Sequence, residues 1–146
     1  MATVRSAHVK WDGDLLSGSG ALHFDSGALP NVPVTWKARI EGPAGMTSPE
    51  ELLAGAHAAC FAMVLAHKLA KNGTPPESMT VGAACTFSAV GEGFNVTEMD
   101  LTVTAKVPGL DLATFQDIAE KSGVRGCPIS EALSWDVLIK VDAKLE

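Results

Sequence analysis

The sequence predicts an α+β fold, with antiparallel sheets around one long buried central helix, in a single domain spanning residues 1–146. Three observations carry this expectation. Short runs of alternating apolar and polar residues fill the first third of the chain. One long run of helix formers, punctuated at both ends, follows. Two long strand patterns then meet across Gly91-Glu92-Gly93. Strands grouped around a helix, rather than alternating with helices, argue for antiparallel pairing.

The elements follow in order. In residues 3–11, Ala7, Val9 and Trp11 alternate with Ser6, His8 and Lys10, which reads as a strand. Gly18 and Gly20 suggest a turn into a second strand at 21–24. Residues 34–40 read as a third strand, with Pro33 at its edge and Gly42, Pro43 and Gly45 breaking it. Thr47 or Ser48 can then cap a helix whose first turn holds Pro49, Glu50 and Glu51. The helix stops at Asn72-Gly73. Leu53, Ala56, Cys60, Val64 and His67 fall at helical spacing, and Leu52, Ala59, Met63 and Ala66 form a second apolar face. A helix with so little polar surface is expected to be buried on most sides, and a second subunit would supply the cover.

Residues 81–90 and 94–107 read as a hairpin. In its second strand Met99, Leu101, Val103, Ala105 and Val107 alternate with polar residues, the pattern of a half-buried antiparallel strand. Residues 112–122 read as a helix with Phe115, Ile118 and Ala119 inward. Cys127-Pro128 opens a helical turn to Leu133, and 135–145 closes the chain as a strand.

Composition narrows the function. A chain of 146 residues that is 47% apolar and 19% charged is ordinary for a globular domain. The net charge of −6, with Lys and Arg scattered, argues against nucleic acid and against an anionic membrane surface as partners. The first residues, MATVRSAHVKWDGD, hold no apolar core of a secretory signal. The stretch 52–69 reads as too short and too polar for a good membrane span, so a cytoplasmic protein is expected. Three cysteines, Cys60, Cys85 and Cys127, do not make a structural disulfide framework.

The cysteines are the candidates for chemistry. Cys60 sits mid-helix, where a small packing residue is the simpler reading; as a nucleophile it needs a cation from elsewhere, because the helix dipole fades within a turn. Arg39 can be that cation, although strand alternation places Lys37, Arg39 and Glu41 together on what reads as a solvated face. Glu50 could orient Arg39, and so could Glu51; both also suit a helix start. Cys127 before Pro128 takes the N-cap position, where free backbone N–H groups favour a thiolate. Cys85, inside a strand pattern, reads as inert packing. His57, three residues before Cys60, invites a Cys–His pair for hydrolysis or acyl transfer. His57, Cys60, Cys127 and His67 invite a metal-binding protein, but the spacing fits no zinc motif. A buried helical His is also a common hydrogen-bonded structural residue.

The run TSPEELLAGAHAACFAM (47–63) closely resembles the signature helix of the OsmC/Ohr family, the osmotically inducible and organic-hydroperoxide-resistance proteins. CPIS (127–130) resembles the family's second element, and the order of elements agrees along nearly the whole chain. His57 makes the helix more OsmC-like than Ohr-like, and Gly55 stands where the family pattern has alanine. The resemblance implies a thiol peroxidase; the largely apolar helix around Cys60 suits organic hydroperoxides and leaves hydrogen peroxide open as a second substrate. It implies that Cys60 is peroxidatic, that Cys127 resolves it through a Cys60–Cys127 disulfide, and that Glu50 and Arg39 are catalytic. It implies an intertwined homodimer with active sites at the interface, no metal, haem or other cofactor, and an external dithiol reductant of the lipoyl kind.

Overall fold

The computed structural model describes residues 2–42 and 45–146; Met1, in the leader reading, and Pro43, in the expected break, lie outside the described residues. The chain divides into two compact units, Met1–Pro49 and Glu50–Glu146.

The first unit holds a three-stranded sheet, β1 (Ala7–Asp12), β2 (Ser19–Phe24) and β3 (Val32–Val34), in the order β1-β2-β3. Both pairings are antiparallel, with Ala7 opposite Phe24 and Gly20 opposite Val34. Residues 34–40 depart from the expected strand: β3 ends at Val34, and α1 (Trp36–Glu41) follows. The cause is Thr35, whose hydroxyl accepts from the Ala38 backbone N–H at 3.1 Å and caps a helix start. Lys37 and Glu41 then pair at 3.8 Å as i,i+4 neighbours.

The second unit carries the core. Helix α2 (Pro49–Lys71) begins on Pro49, which puts Ser48 in the N-cap position. It ends in a Schellman motif: the Thr74 N–H bonds Leu69 O at 3.1 Å and the Gly73 N–H bonds Ala70 O at 3.0 Å. Gly73 adopts φ 83, the left-handed conformation this cap requires. The buried stripe of α2 is Glu50, Ala54, His57, Phe61, Leu65 and Leu69. This stripe lies on the opposite side of the helix from the two faces read from the sequence and contains none of their residues, and one chain does not bury the helix on most sides: Met63 is 69% exposed. By length and composition the 23-residue α2 could cross a membrane, which corrects the reading of 52–69 as too short and too polar. Its apolar stripe is instead used on this unit's own core.

Strands β4 (Ser78–Val90) and β5 (Gly93–Lys106) form the expected antiparallel hairpin, closed by the two-residue turn 91–92 and carrying a bulge at Thr86/Phe87. On β5, Met99, Leu101, Val103 and Ala105, with Val107 just beyond it, are all buried, as their alternation predicts. They meet Phe61, Leu65 and Leu69 of α2, and Phe115 and Ala119 of α3 (Leu112–Arg125). Full burial stabilises each of the large side chains by about 1.5–3 kcal/mol. Asp111 caps α3, accepting from the Thr114 N–H at 3.0 Å. After α4 (Pro128–Leu133), strand β6 (Leu138–Leu145) pairs with β5 in parallel, Glu98 opposite Leu138. The α+β class holds, but this one pair departs from the antiparallel expectation. Helices α3 and α4 supply the long crossover that a parallel pair needs.

Candidate active site

Cys60 and Cys127 stand 67 residues apart in sequence and are joined by a disulfide, with their Cα atoms 6.0 Å apart. Cys60 lies in the middle of α2 and is half-buried; Cys127 is fully buried. Cys127 occupies the N-cap position of α4, with Pro128 at the first helical residue, as the sequence indicates. Its backbone is extended there (φ −93, ψ 126), and its carbonyl accepts from the Glu131 N–H at 3.0 Å to close the first turn.

A second link runs beside the disulfide. The Nε2 of His57 lies 2.7 Å from Ser130 Oγ, and the Ser130 hydroxyl donates to the carbonyl of Gly123. A carbonyl only accepts, so the single hydroxyl hydrogen goes to Gly123 and Ser130 accepts from a hydrogen on His57 Nε2. His57 Nδ1 is then a bare acceptor, with no hydrogen-bond partner among the described residues. His57 and Ser130 are both fully buried. Burial pushes the His57 pKa below its ordinary 6.5 and favours the neutral ring. Neither ring nitrogen bonds Cys60, so the Cys–His pair that a hydrolase would need is not formed. Among the described residues no group of three or more His, Cys, Asp or Glu side chains is placed to hold a metal ion.

Glu50 and Glu51, equal candidates by sequence, are separated by burial: Glu50 is 7% exposed, whereas Glu51 faces solvent. Glu50 and Cys60 share one helix but stand ten residues apart, roughly 15 Å along its axis. The Glu50 charge acts on Cys85 in β4. Burial first, and the Glu50 carboxylate second, push the Cys85 thiol above its ordinary 9.0. That keeps Cys85 protonated and a poor nucleophile, in line with its reading as packing.

Arg39 belongs to the first unit. It lies in the last turn of α1, half-buried, with its guanidinium 5.9 Å from the centre of the Trp36 ring. The charged face read from strand alternation is therefore replaced by an i,i+3 helical pairing with an aromatic ring. Arg39, Trp36, Trp11, Leu15, Val34 and Pro49 line a hollow of about 130 Å³ within that unit. Sequence reasoning missed Trp36 as the neighbour of Arg39, and Ser130 and Gly123 as the partners of His57. The available signal was Ser130, three residues past Cys127 in the turn that Pro128 starts.

Comparison with known proteins agrees with this geometry. The family model described as "OsmC-like protein" matches residues 42–142. The chain is 35% identical to peroxiredoxin OsmC of Escherichia coli over 144 residues, 99% of each chain. It is 30% identical to the organic hydroperoxide resistance protein OhrB of Bacillus subtilis over 132 residues, 90% of this chain and 89% of OhrB. The higher identity is on the OsmC side, as His57 suggests. Among solved structures, an organic hydroperoxide resistance protein of Elizabethkingia anophelis superposes with a TM-score of 0.75 at 23% identity, covering 100% of both chains. An organic hydroperoxide resistance protein OsmC of Legionella pneumophila gives 0.73 at 22% identity, covering 98% of this chain and 99% of its own.

Proposed function

As the chain belongs to the OsmC-like protein family, we propose that it is a thiol-dependent peroxidase in which Cys60 reacts with a hydroperoxide and Cys127 closes the cycle. One observation carries this reading: two cysteines far apart in sequence are bonded to each other, and the third is free. The Cys60 thiolate attacks the terminal oxygen of ROOH, the O–O bond breaks, and the leaving alkoxide takes a proton to become the alcohol. Cys60 is left as a sulfenic acid. The Cys127 sulfur attacks the Cys60 sulfur, the S–O bond breaks, and water leaves as the disulfide forms. An external dithiol of the lipoyl type then restores both thiols by exchange and is itself oxidised to a disulfide. Exposure supports the order of events, since half-buried Cys60 is the one more open to a substrate and Cys127 is fully enclosed.

Arg39 supplies the cation that favours the Cys60 thiolate, and Glu50 orients the guanidinium. In this scheme residues 1–146 work as one domain. The axial spacing of about 15 Å keeps Glu50 from its own helix's Cys60. In this scheme the enzyme is a homodimer, in which Glu50 of one protomer serves the partner subunit's Cys60. Apolar surface left open in a single chain supports a dimer: Met63 on α2, Val9 on β1 (50% exposed) and Trp135 (90% exposed). The acidic chain and its scattered cations argue against nucleic acid and anionic membranes as partners and suit an enzyme that acts on small substrates, which we place in the cytoplasm.

The test is a free-thiol count of the reduced protein before and after one equivalent of cumene hydroperoxide, with the disulfide mapped. Two thiols should be lost to a Cys60–Cys127 bond, with Cys85 left free. Survival of all three thiols in a modest excess of peroxide would sink the reading. Cys60→Ser should abolish turnover, and Cys127→Ser should still permit one oxidation.

A further inference from the structure

We propose that the chain of hydrogen bonds His57–Ser130–Gly123 is a positioning device for the redox cycle, holding Cys127 beside Cys60 while the disulfide is open. It thereby sets the rate at which Cys127 resolves the Cys60 sulfenic acid. The inference rests on the roles given above to the two cysteines.

The geometry is that of two parallel ties. His57 lies three residues before Cys60 on α2, and Ser130 lies three residues after Cys127 on α4, so each pair is about one helical turn apart. The disulfide is broken in every catalytic cycle, whereas the His57–Ser130 bond involves no sulfur atom. Cys127 needs such support, because its side chain makes no capping hydrogen bond and α4 is only six residues long. The Glu131 N–H to Cys127 carbonyl bond makes Cys127 to Glu131 one closed turn, so fixing Ser130 fixes the Cys127 backbone.

Both ends of the chain are anchored. His57 is fully buried in the α2 stripe between Ala54 and Phe61. At the other end, a Cβ built on Gly123 would lie 2.5 Å from Val141, 3.2 Å from Leu101 and 3.3 Å from Phe61, so the α3 backbone is seated directly on the sheet and on α2. Ser130 thus stands between a fixed donor on α2 and a fixed acceptor on α3. Resolution needs the Cys127 sulfur within contact of the Cys60 sulfur and correctly aimed, which is the kind of step that small misplacements slow strongly.

The experiment compares the reduced full-length wild type with H57F, S130A and H57Q. One equivalent of cumene hydroperoxide is added. At timed quenches the Cys60 sulfenic acid is trapped with dimedone, and the Cys60–Cys127 disulfide is quantified by intact mass. Loss of peroxide in the first step should proceed at the wild-type rate in every variant. Disulfide closure should slow on the order of ten- to a hundredfold in H57F and S130A. Cys60 sulfinic acid should accumulate in those variants under excess peroxide. H57Q can donate from its amide nitrogen at a similar reach and should restore most of the closure rate. Closure at the wild-type rate in H57F and S130A overturns the proposal, and so does an H57Q protein as slow as H57F, which would show that a hydrogen-bond donor at this position does not set the rate.

A measurement on the wild type covers the case of variants that do not fold. In the reduced protein, long-range proton–nitrogen spectra should show His57 as the Nε2–H tautomer with a slowly exchanging proton. Loss of that signal on reduction overturns the proposal. If wild-type protein consumes peroxide without forming the Cys60–Cys127 bond, the cysteine assignment falls and takes this proposal with it. If wild type closes normally and H57F closes as fast, only the positioning role falls.

Discussion

The imidazole of His57 and the hydroxyl of Ser130 meet at 2.7 Å in the interior of the second unit, 73 residues apart in sequence. The bond joins α2 to α4 about one helical turn from the Cys60–Cys127 disulfide. Its direction is fixed by Gly123, whose carbonyl takes the hydroxyl hydrogen. His57 is therefore a neutral, structural histidine rather than a base facing substrate. The residue that invited a Cys–His mechanism serves instead to connect two helices.

Stability should depend on pH through this histidine. Burial lowers its folded pKa below 6.5, so the unfolded chain binds the extra proton first as pH falls. The His57 contribution is complete above about pH 6.5. It is lost progressively as pH drops from there toward the folded pKa. At the alkaline end Cys85 acts in the opposite sense: its folded pKa is raised above 9.0, so stability declines as pH climbs past that value. Urea midpoints of the oxidised protein between pH 5 and 10 should show both slopes. H57Q should flatten the acid limb and Cys85→Ala the alkaline one.

Gly123→Ala should destabilise the fold. The new methyl group would lie 2.5 Å from Val141 Cγ2, on a strand that cannot easily move. Such overpacking costs about 1–3 kcal/mol. Alanine's better helix propensity returns at most about 1 kcal/mol of that. Val141→Ala opens space at the same point, so the double variant should be less destabilised than the sum of the two single variants. Additive losses would show that the two side chains do not compete for this space.

The proposed cross-protomer role of Glu50 has a complementation test. Cys60→Ser should be inactive alone, and Glu50→Gln should be severely slowed. Mixed and reassembled, the two should recover roughly a quarter of wild-type peroxidase activity, the share expected when half the symmetric dimers carry one intact site. No recovery in verified heterodimers would place Glu50 and Cys60 of the same chain in one site.

Most of the elements could be read locally. The punctuation of α2 by Pro49 and Gly73, and the alternation of Met99 to Val107, report backbone geometry within a few residues. Two elements could not be read in this way. Residues 34–40 carry a strand-like pattern, and their helix depends on one hydroxyl bond from Thr35 to Ala38. The parallel placement of β6 on β5 depends on where α3 and α4 carry the chain, and the periodicity of residues 135–145 says nothing of direction.

The site divides along the same line. The sequence by itself determined the chemistry available: two cysteines in recognisable contexts, a helix-start carboxylate and an arginine before it. Only the tertiary structure decided which groups meet. It joined Cys60 to Cys127 across 67 residues, buried Glu50 but not Glu51, kept Cys85 protonated and turned His57 toward Ser130. The physical reason is range. Helix caps and strand alternation are settled by neighbours within a turn or a pleat, whereas burial, charge and sulfur contact are set by side chains brought together from distant segments.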